Sequence, residues 1–198
     1  MSSADLVVIG AGPAGLAASL AAAECGLHVV LVDERPAPGG QYLGGRQPSA
    51  TPAERQGRTL LDRLPYHSID LRSQTVVWNL SPDLYVSLFG PQGADTVAAR
   101  AVIVAGGGRE RVLPFPGWTL PGVMTAGAAQ LLVKNYGVTP GHRVLLAGSG
   151  PLLLPAASAL AAAGATVVAV LEAGHPAAWL PQGPALAFSV SGGGRLAE

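Results

Sequence analysis

Residues 5–34 read DLVVIGAGPAGLAASLAAAECGLHVVLVDE. The apolar run at 6–9 is short enough for a strand buried on both faces, and a second apolar run at 28–32 predicts another strand. Between them, the Ala-rich run at 14–23 favours a helix. A strand, a helix and a second strand in this order predict one βαβ unit of a nucleotide-binding α/β fold.

Three glycines fill the turn between the first strand and the helix, at G-x-G-x-x-G spacing: Gly10, Gly12 and Gly15. In this motif the first glycine permits the tight turn, the second lets the backbone approach a pyrophosphate, and the third lets the helix pack closely on the strand. The helix begins near Pro13 and Ala14, where unpaired N–H groups and a partial positive charge suit a diphosphate. We therefore predict a dinucleotide site at this turn.

The second strand ends in an acidic residue, Asp33. An acid about 20 residues beyond the glycine turn is expected to bind ribose hydroxyls in this motif. The alternative is a glycine turn that binds nothing. A membrane span is excluded, because charged residues and glycines interrupt the apolar run and a span needs about 20 continuous apolar residues.

The composition is that of a globular chain. Its 198 residues, 49% hydrophobic and 12% charged, can bury one good core or two small ones. Zero formal net charge, with no Lys/Arg cluster, argues against a nucleic-acid partner. The single cysteine, Cys25, excludes an internal disulfide and the C-x-x-C pair of a disulfide-dependent flavin enzyme, and its place in the helix predicts core packing. No metal site is predicted. No secretory signal is predicted either, so the cytoplasm is the expected location.

A stretch rich in glycine and proline, 35–52, follows the acidic strand end. Its composition alone favours a flexible connector. However, the sequence Pro-Gly-Gly-Gln within it, which ends at Gln41, would let the backbone lie against a second part of a long cofactor, as FAD is held beyond its adenosine half. Residues 52–64 then predict a helix with a weak apolar face.

Residues 69–99 alternate apolar and polar side chains and are divided by turn residues. This pattern predicts a small antiparallel meander, inserted as a crossover between two parallel strands. The chain then returns at 101–105 as a predicted buried strand, followed by Gly106, Gly107 and Gly108. Glycines at the carboxyl end of a central strand indicate a nearby ligand or a tight turn.

The opening pattern repeats later in the chain, after a predicted helix at 125–136 that Thr125 is placed to cap. A strand is predicted at 142–147, a helix at 152–163 and a second strand at 166–171. Such repetition of one supersecondary unit predicts a second nucleotide-type fold.

The second copy of the motif is imperfect. Its turn contains Gly148 and Gly150, but Leu153 occupies the place of the third glycine, and Pro155 is expected to strain the first turns of the helix. A second dinucleotide site and a purely structural copy therefore both stay open. If a nicotinamide nucleotide does bind, Glu172 at the strand end, with no arginine directly after it, favours NAD over NADP.

Four stretches of the sequence resemble one known group: VIGAGPAGLAA, VVLVDERPAPGGQ, RERVLPFPGWTLPGVMTAGAAQLL and VLLAGSGPLLL. They are similar to the FAD-containing subunit of heteromeric dehydrogenases. That group includes opine oxidases, hydrogen cyanide synthase, D-hydroxyproline dehydrogenase and relatives of the sarcosine oxidase alpha subunit. The resemblance runs through about residue 180. It implies that FAD is contacted by Gly10, Gly12, Gly15, Asp33, Glu34, Gly40 and Gln41, with Gly106 and Gly107 near its pyrophosphate or isoalloxazine side.

The resemblance also implies an α/β fold with two nested nucleotide-binding domains. A Rossmann-like FAD-binding domain with an antiparallel meander crossover is expected at 1–120. An incomplete second Rossmann-like domain of NAD type is expected at 121–180, and a tail at 181–198. Subunits of this group are considerably longer, so the chain is expected to be C-terminally truncated and to lack the segment that returns to the FAD domain.

The function implied by the resemblance is that of a flavoprotein oxidoreductase subunit. It would pass a hydride or electrons through FAD and work with a second, substrate-oxidising subunit on a small amino acid, imino acid or opine. Two alternatives stay open: a self-contained FAD/NAD(P)H oxidoreductase, and a truncated nucleotide-binding structural subunit without activity. No catalytic residue is predicted, because a solvated or core position explains each of the four histidines.

Overall fold

The computed structural model describes residues 2–44, 52–66 and 68–174. Their contacts group into two compact units, of which the first ends at Gly108 and the second begins at Arg109. This break precedes the predicted domain boundary at residue 120, and the assignment of nucleotide-binding domains to 1–120 and 121–180 stays a prediction. The predicted tail at 181–198 lies outside the described residues.

The first unit is built on one six-stranded sheet with the strand order β3-β2-β1-β6-β5-β4. β1, β2, β3 and the later part of β6 run parallel, whereas β4, β5 and the first part of β6 are antiparallel neighbours. This arrangement confirms the predicted Rossmann-like fold with an antiparallel meander. Its elements are β1 (Ser2–Ile9), α1 (Pro13–Glu24), β2 (Val29–Val32), α2 (Gly40–Leu43), α3 (Pro52–Arg63), a 3₁₀ turn (Leu64–Tyr66), β3 (Ile69–Arg72), β4 (Val76–Leu80), β5 (Tyr85–Gly90) and β6 (Gly93–Val104).

Both faces of the central strands β1 and β2 are covered, and successive side chains of each strand contribute to opposite faces. On one face, Val7 packs with meander residues such as Val86 and Val97. On the other face, Leu6 and Val8 pack against the helices, in a cluster that also holds Leu16, Val29, Leu31 and Leu43. The short apolar run in β1 is therefore buried on both sides, as its sequence predicts.

One long strand, β6, is both the last strand of the meander and a parallel neighbour of β1, although the sequence predicts two separate strands. Its first part pairs with β5 as the last strand of the meander, and its later part pairs with β1. The prediction that 101–105 is buried is wrong, since Ile103 is 40% and Val104 70% exposed. In the described part of the chain, β5 pairs with β6 only as far as Ala98. The later part of β6 therefore has no neighbouring strand at the edge opposite β1.

Cys25 also differs from its prediction, because it is exposed rather than packed in the core. It follows the last residue of α1 and caps the helix, so it no longer belongs to the buried helix face.

An arginine ties β3 to the meander. Arg72 donates hydrogen bonds to Asp70 at 2.9 Å and to Asp95 at 2.6 Å. The bond from Arg72, aided by the backbone N–H of Thr96, holds the pKa of Asp95 below its ordinary value. This ion pair is partly exposed, so its contribution to stability is small.

We expect Asp95→Asn to make folding stability less dependent on pH under acidic conditions. Because the pKa of Asp95 is lowered in the folded state, its stabilising effect is present above the ordinary pKa and is lost as the pH falls through the lowered pKa. Urea unfolding between about pH 2 and pH 6 spans this window. The parent should lose more stability toward low pH than Asp95→Asn does, and parallel curves would contradict a role for this pair.

The second unit repeats the βαβ order of the first. β7 and β8 pair in parallel, and the predicted cap of α4 is confirmed, since the Thr125 hydroxyl accepts the Ala128 N–H at 3.2 Å. Its elements are α4 (Ala126–Leu131), a π-helical turn (Leu132–Tyr136), β7 (Arg143–Gly148), α5 (Leu153–Ala162) and β8 (Thr166–Glu172).

Among the described residues, one face of the β7–β8 pair carries a core and the other does not. Leu146 and Leu160 are buried there with α4 and α5, whereas Leu145, Val168 and Leu171 on the strands are at least half exposed. Pro155 is the third residue of α5, where backbone N–H groups have no intrahelical partner, so the expectation that it strains the helix is wrong. Among the residues that the structure describes, no helix is long and apolar enough to cross a bilayer.

Candidate dinucleotide site

The three glycines of the first turn differ in whether the fold requires a glycine at their position. Gly10 has a left-handed φ of 104°, and a Cβ on it would collide with the backbone carbonyl of Ala105. A Cβ on Gly15 would collide with the carbonyl of Gly10, so this glycine lets α1 pack against the turn. Both positions are therefore required by the fold itself.

Gly12 is different, because the protein does not need a glycine there. Its φ of −73° is open to any residue, and apart from its chain neighbours no atom of the described residues lies within 4 Å of an added Cβ. The space over Gly12 is thus a cradle that a side chain would fill, next to the first turn of α1.

The N-terminus of α1 provides donors for an anion at this cradle. The helix begins at Pro13, and neither a side-chain cap nor an acidic residue occupies its first turn. The first-turn N–H groups of a helix have no intrahelical partner, and the helix dipole adds a partial positive charge. A diphosphate over Gly12 fits both features.

Asp33 holds the glycine turn from the end of β2. It is only 8% exposed, and its two carboxylate oxygens accept the N–H of Ala11 at 2.5 Å and of Arg35 at 2.8 Å. The sequence predicts the acid but not this structural task. Each carboxylate oxygen has a further lone pair, so hydrogen bonds to ribose hydroxyls stay possible in addition. The neighbouring Glu34 is exposed.

A second glycine pair lies against the first turn. Gly39 donates its N–H to the carbonyl of Ala11 at 2.7 Å, and a Cβ on Gly40 would come within 2.9 Å of the Gly12 Cα. Both glycines have positive φ, 119° and 61°. The structure therefore brings the Pro-Gly-Gly-Gln stretch to the cradle, with Gln41 exposed at the start of α2.

The glycines after β6 reach the same edge of the sheet. Gly10 packs against Ala105 and Gly106, and both Gly106 and Gly107 are exposed. Gly107 has a left-handed φ of 73°. All predicted residues of the first site thus gather near the carboxyl ends of β1, β2 and β6. Sequence reasoning named Gly39 only as part of the Pro-Gly-Gly-Gln stretch, and it missed Arg35, which only its contacts across the turn reveal.

The second unit repeats the acid of the first. Glu172 accepts the N–H of Gly150 at 3.0 Å and of Gly174 at 2.8 Å, as Asp33 accepts from its own glycine turn and from the residue two positions later. The hydrogen bond from Gly174, followed by weaker ones from Gly150 and Ser149, lowers the pKa of Glu172. The carboxylate of Glu172 is therefore anionic at neutral pH.

The turn itself is built differently in the second unit. Gly148 and Gly150 form it, and Gly150 has a φ of 109° with no protein atom within 4 Å of an added Cβ. However, Leu153 is buried at the position of the third glycine, and α5 begins only there, further from the turn than α1 begins in the first unit. This helix N-terminus is less favourably placed for a diphosphate.

Two of the four histidines lie in the part of the chain that the structure describes. His28 and His142 are exposed, whereas His67 and His175 lie outside the described part of the chain. No cluster of three or more His, Cys, Asp or Glu side chains that could hold a metal ion occurs in the described ranges.

The six-stranded sheet with its meander and the glycine cradle at its carboxyl edge form a Rossmann-type dinucleotide-binding unit. The sequence profile of the family Pyridine nucleotide-disulphide oxidoreductase matches residues 4–179. The chain belongs to this family.

Similar proteins agree with this assignment. An opine oxidase subunit of Agrobacterium tumefaciens is 40% identical over 185 residues, covering 85% of this chain and 36% of that protein. Hydrogen cyanide synthase subunit HcnB of Pseudomonas aeruginosa is 39% identical over 176 residues, covering 84% and 38%. The crystal structure of L-proline dehydrogenase from P. horikoshii shares the fold, with a TM-score of 0.66, 24% identity and coverage of 86% and 35%.

The chain spans little more than a third of the length of the opine oxidase subunits that it matches. These relatives confirm the type of protein that the four sequence stretches resemble.

Proposed function

We propose that the chain is the FAD-binding part of a flavoprotein oxidoreductase subunit. The observation that supports this most strongly is the open cradle at Gly12, a position where the fold itself does not require a glycine. FAD, when bound, supplies the chemistry of accepting a hydride or electrons, and the protein supplies binding and orientation. This chain's residues would therefore act by holding the cofactor.

Each part of the cofactor has a proposed partner in the first unit. The diphosphate would lie over Gly12 and the first turn of α1, at Pro13, Ala14 and Gly15, where the N–H groups of Ala14 and Gly15 and the helix dipole favour an anion. The adenosine ribose would bind Asp33, with exposed Glu34 beside it. The remaining contacts would come from residues near the cradle: Gly10, Gly40, Gln41, Gly106 and Gly107.

The whole protein would act together with a second subunit. The relatives are named as subunits, of opine oxidase and of hydrogen cyanide synthase. We therefore infer a partner that oxidises a small amino acid, imino acid or opine, and prefer this to a self-contained oxidoreductase. The cytoplasm stays the predicted location.

Flavin absorbance tests the proposed function. The purified chain, incubated with FAD and freed of excess, should retain yellow colour with absorbance near the flavin bands, at about one FAD per chain because the first unit has one cradle. A protein that stays colourless after this treatment would contradict FAD binding by the chain.

For the second unit we propose an adenine nucleotide, NAD in preference to NADP. The support is that Glu172 repeats the two backbone contacts of Asp33, and its negative charge disfavours a 2′-phosphate on the ribose. Calorimetric titration with NAD and NADP decides this. Heat from NAD that Glu172→Gln weakens would support the site, and no heat from either nucleotide would favour a structural copy.

Replacing Asp33 with alanine should lower both stability and FAD affinity. It leaves the buried N–H of Ala11 without its acceptor, which costs about 1–3 kcal/mol. It also removes a charged acceptor for ribose hydroxyls, which corresponds to a loss of about tenfold or more in FAD affinity. Urea unfolding and FAD titration measure the two effects, with Glu34→Ala as the exposed neighbour for comparison. Unchanged FAD affinity in Asp33→Ala, together with a loss in Glu34→Ala, would move the ribose contact to Glu34.

A further inference from the structure

Arg35 connects the end of β2 with the second glycine pair. Its backbone N–H donates to Asp33, and its carbonyl accepts the N–H of Gln74 at 3.0 Å. Its guanidinium Nη1 donates to the carbonyl of Gly40 at 3.2 Å. The backbone of Arg35 is thus fixed on the strand side, and its half-buried side chain extends to the second glycine pair.

The second glycine pair needs such support. Consecutive glycines have more backbone freedom than any other residues and lose more of it on ordering. Gly40 nevertheless lies so close to Gly12 that an added Cβ would come within 2.9 Å of the Gly12 Cα. Because Gly40 lies against the Gly12 backbone, a shift of Gly40 would change how closely the two backbones approach each other at the cradle.

We propose that Arg35 is a positioning residue of the cofactor site: its guanidinium holds Gly40 against Gly12 and so sets the width of the cleft that the FAD diphosphate enters. This inference rests on the proposed function. The cation of Arg35 near the cleft also favours an anionic ligand, and a lysine would keep the charge but not the planar fork of donors.

Three variants separate this role from general effects of charge or folding. Arg35→Met keeps the length of the side chain but removes the charge and the donors, and Arg35→Lys keeps the charge. Arg100→Met is the matched control, because Arg100 is an exposed arginine of the same unit that pairs with Asp5. Hydrogen exchange of the peptide covering residues 36–44 reports the clamp without FAD, and fluorescence titration with FAD reports binding.

Arg35→Met should exchange faster at residues 36–44 and bind FAD about tenfold more weakly, since removing a hydrogen bond from a charged group has about that effect. Arg35→Lys should recover part of the affinity, and Arg100→Met should match the parent in both measurements. Exchange at 36–44 unchanged in Arg35→Met, or an equal loss of FAD affinity in Arg100→Met, would overturn the inference. If the parent does not bind FAD, the proposed function fails, and the exchange data still decide whether Arg35 clamps Gly40.

Discussion

Gly12→Val is expected to abolish tight FAD binding while the apoprotein keeps its stability. The backbone of Gly12 has an ordinary φ, and in the described part of the chain only its chain neighbours lie within 4 Å of an added Cβ. A valine side chain would instead fill the space that we assign to the diphosphate. Overpacking costs about 1–3 kcal/mol and each 1.4 kcal/mol is tenfold, so FAD affinity should fall by up to about a hundredfold.

Titration with FAD measures the loss of affinity, and urea unfolding of the apoprotein measures whether its stability is kept. Gly141→Val is a suitable control, because Gly141 has no positive φ, no backbone atom closer than 3.9 Å to an added Cβ, and lies in the second unit. FAD affinity that survives Gly12→Val would show that the cofactor does not approach this glycine.

Gly15→Ala, unlike Gly12→Val, should destabilise the fold itself. Its Cβ would collide with the carbonyl of Gly10, and both groups belong to backbone that the sheet and α1 hold in place. We expect the free energy of unfolding to fall by about 3 kcal/mol or more, at the upper end of overpacking effects. FAD binding should be lost with the fold.

Gly57→Ala provides the matched comparison in a helix of the same unit. Its Cβ would meet only the flexible end of the Leu43 side chain, and alanine improves helix propensity by about 1 kcal/mol. Urea unfolding should therefore place Gly57→Ala near the parent and Gly15→Ala far below it. Equal stabilities of the two variants would contradict the close packing of α1 on the glycine turn.

The elements that the sequence predicts well are those whose signals are local. The strand, turn and helix at 5–34 follow from glycine spacing and apolar runs, and Thr125 is recognisable as a cap from its position before a helical stretch. The repeat in the second unit is also visible, because the order of elements and the acid at the strand end recur. These features depend on residues close together in the chain.

The features that sequence reasoning missed depend on distant contacts. The prediction that residues 101–105 are buried is wrong because their burial depends on whether another strand lies beside β6. No local sequence pattern indicates that pairing. The structural task of Asp33 and the contact of Arg35 with Gly40 arise only when the strand end and the loop fold over the glycine turn. Similarly, Cys25 is exposed because α1 ends at the residue before it.

The most direct test of the central proposal compares FAD with riboflavin, which has the isoalloxazine ring but neither the diphosphate nor the adenosine. The proposed cradle recognises the diphosphate and the ribose, so calorimetric titration should give one FAD per chain and riboflavin binding weaker by about a hundredfold or more, since each hydrogen bond to a charged group is worth about 1.5–3 kcal/mol. Riboflavin binding as tight as that of FAD, or no binding of FAD at all, would contradict a dinucleotide site at Gly10, Gly12 and Gly15.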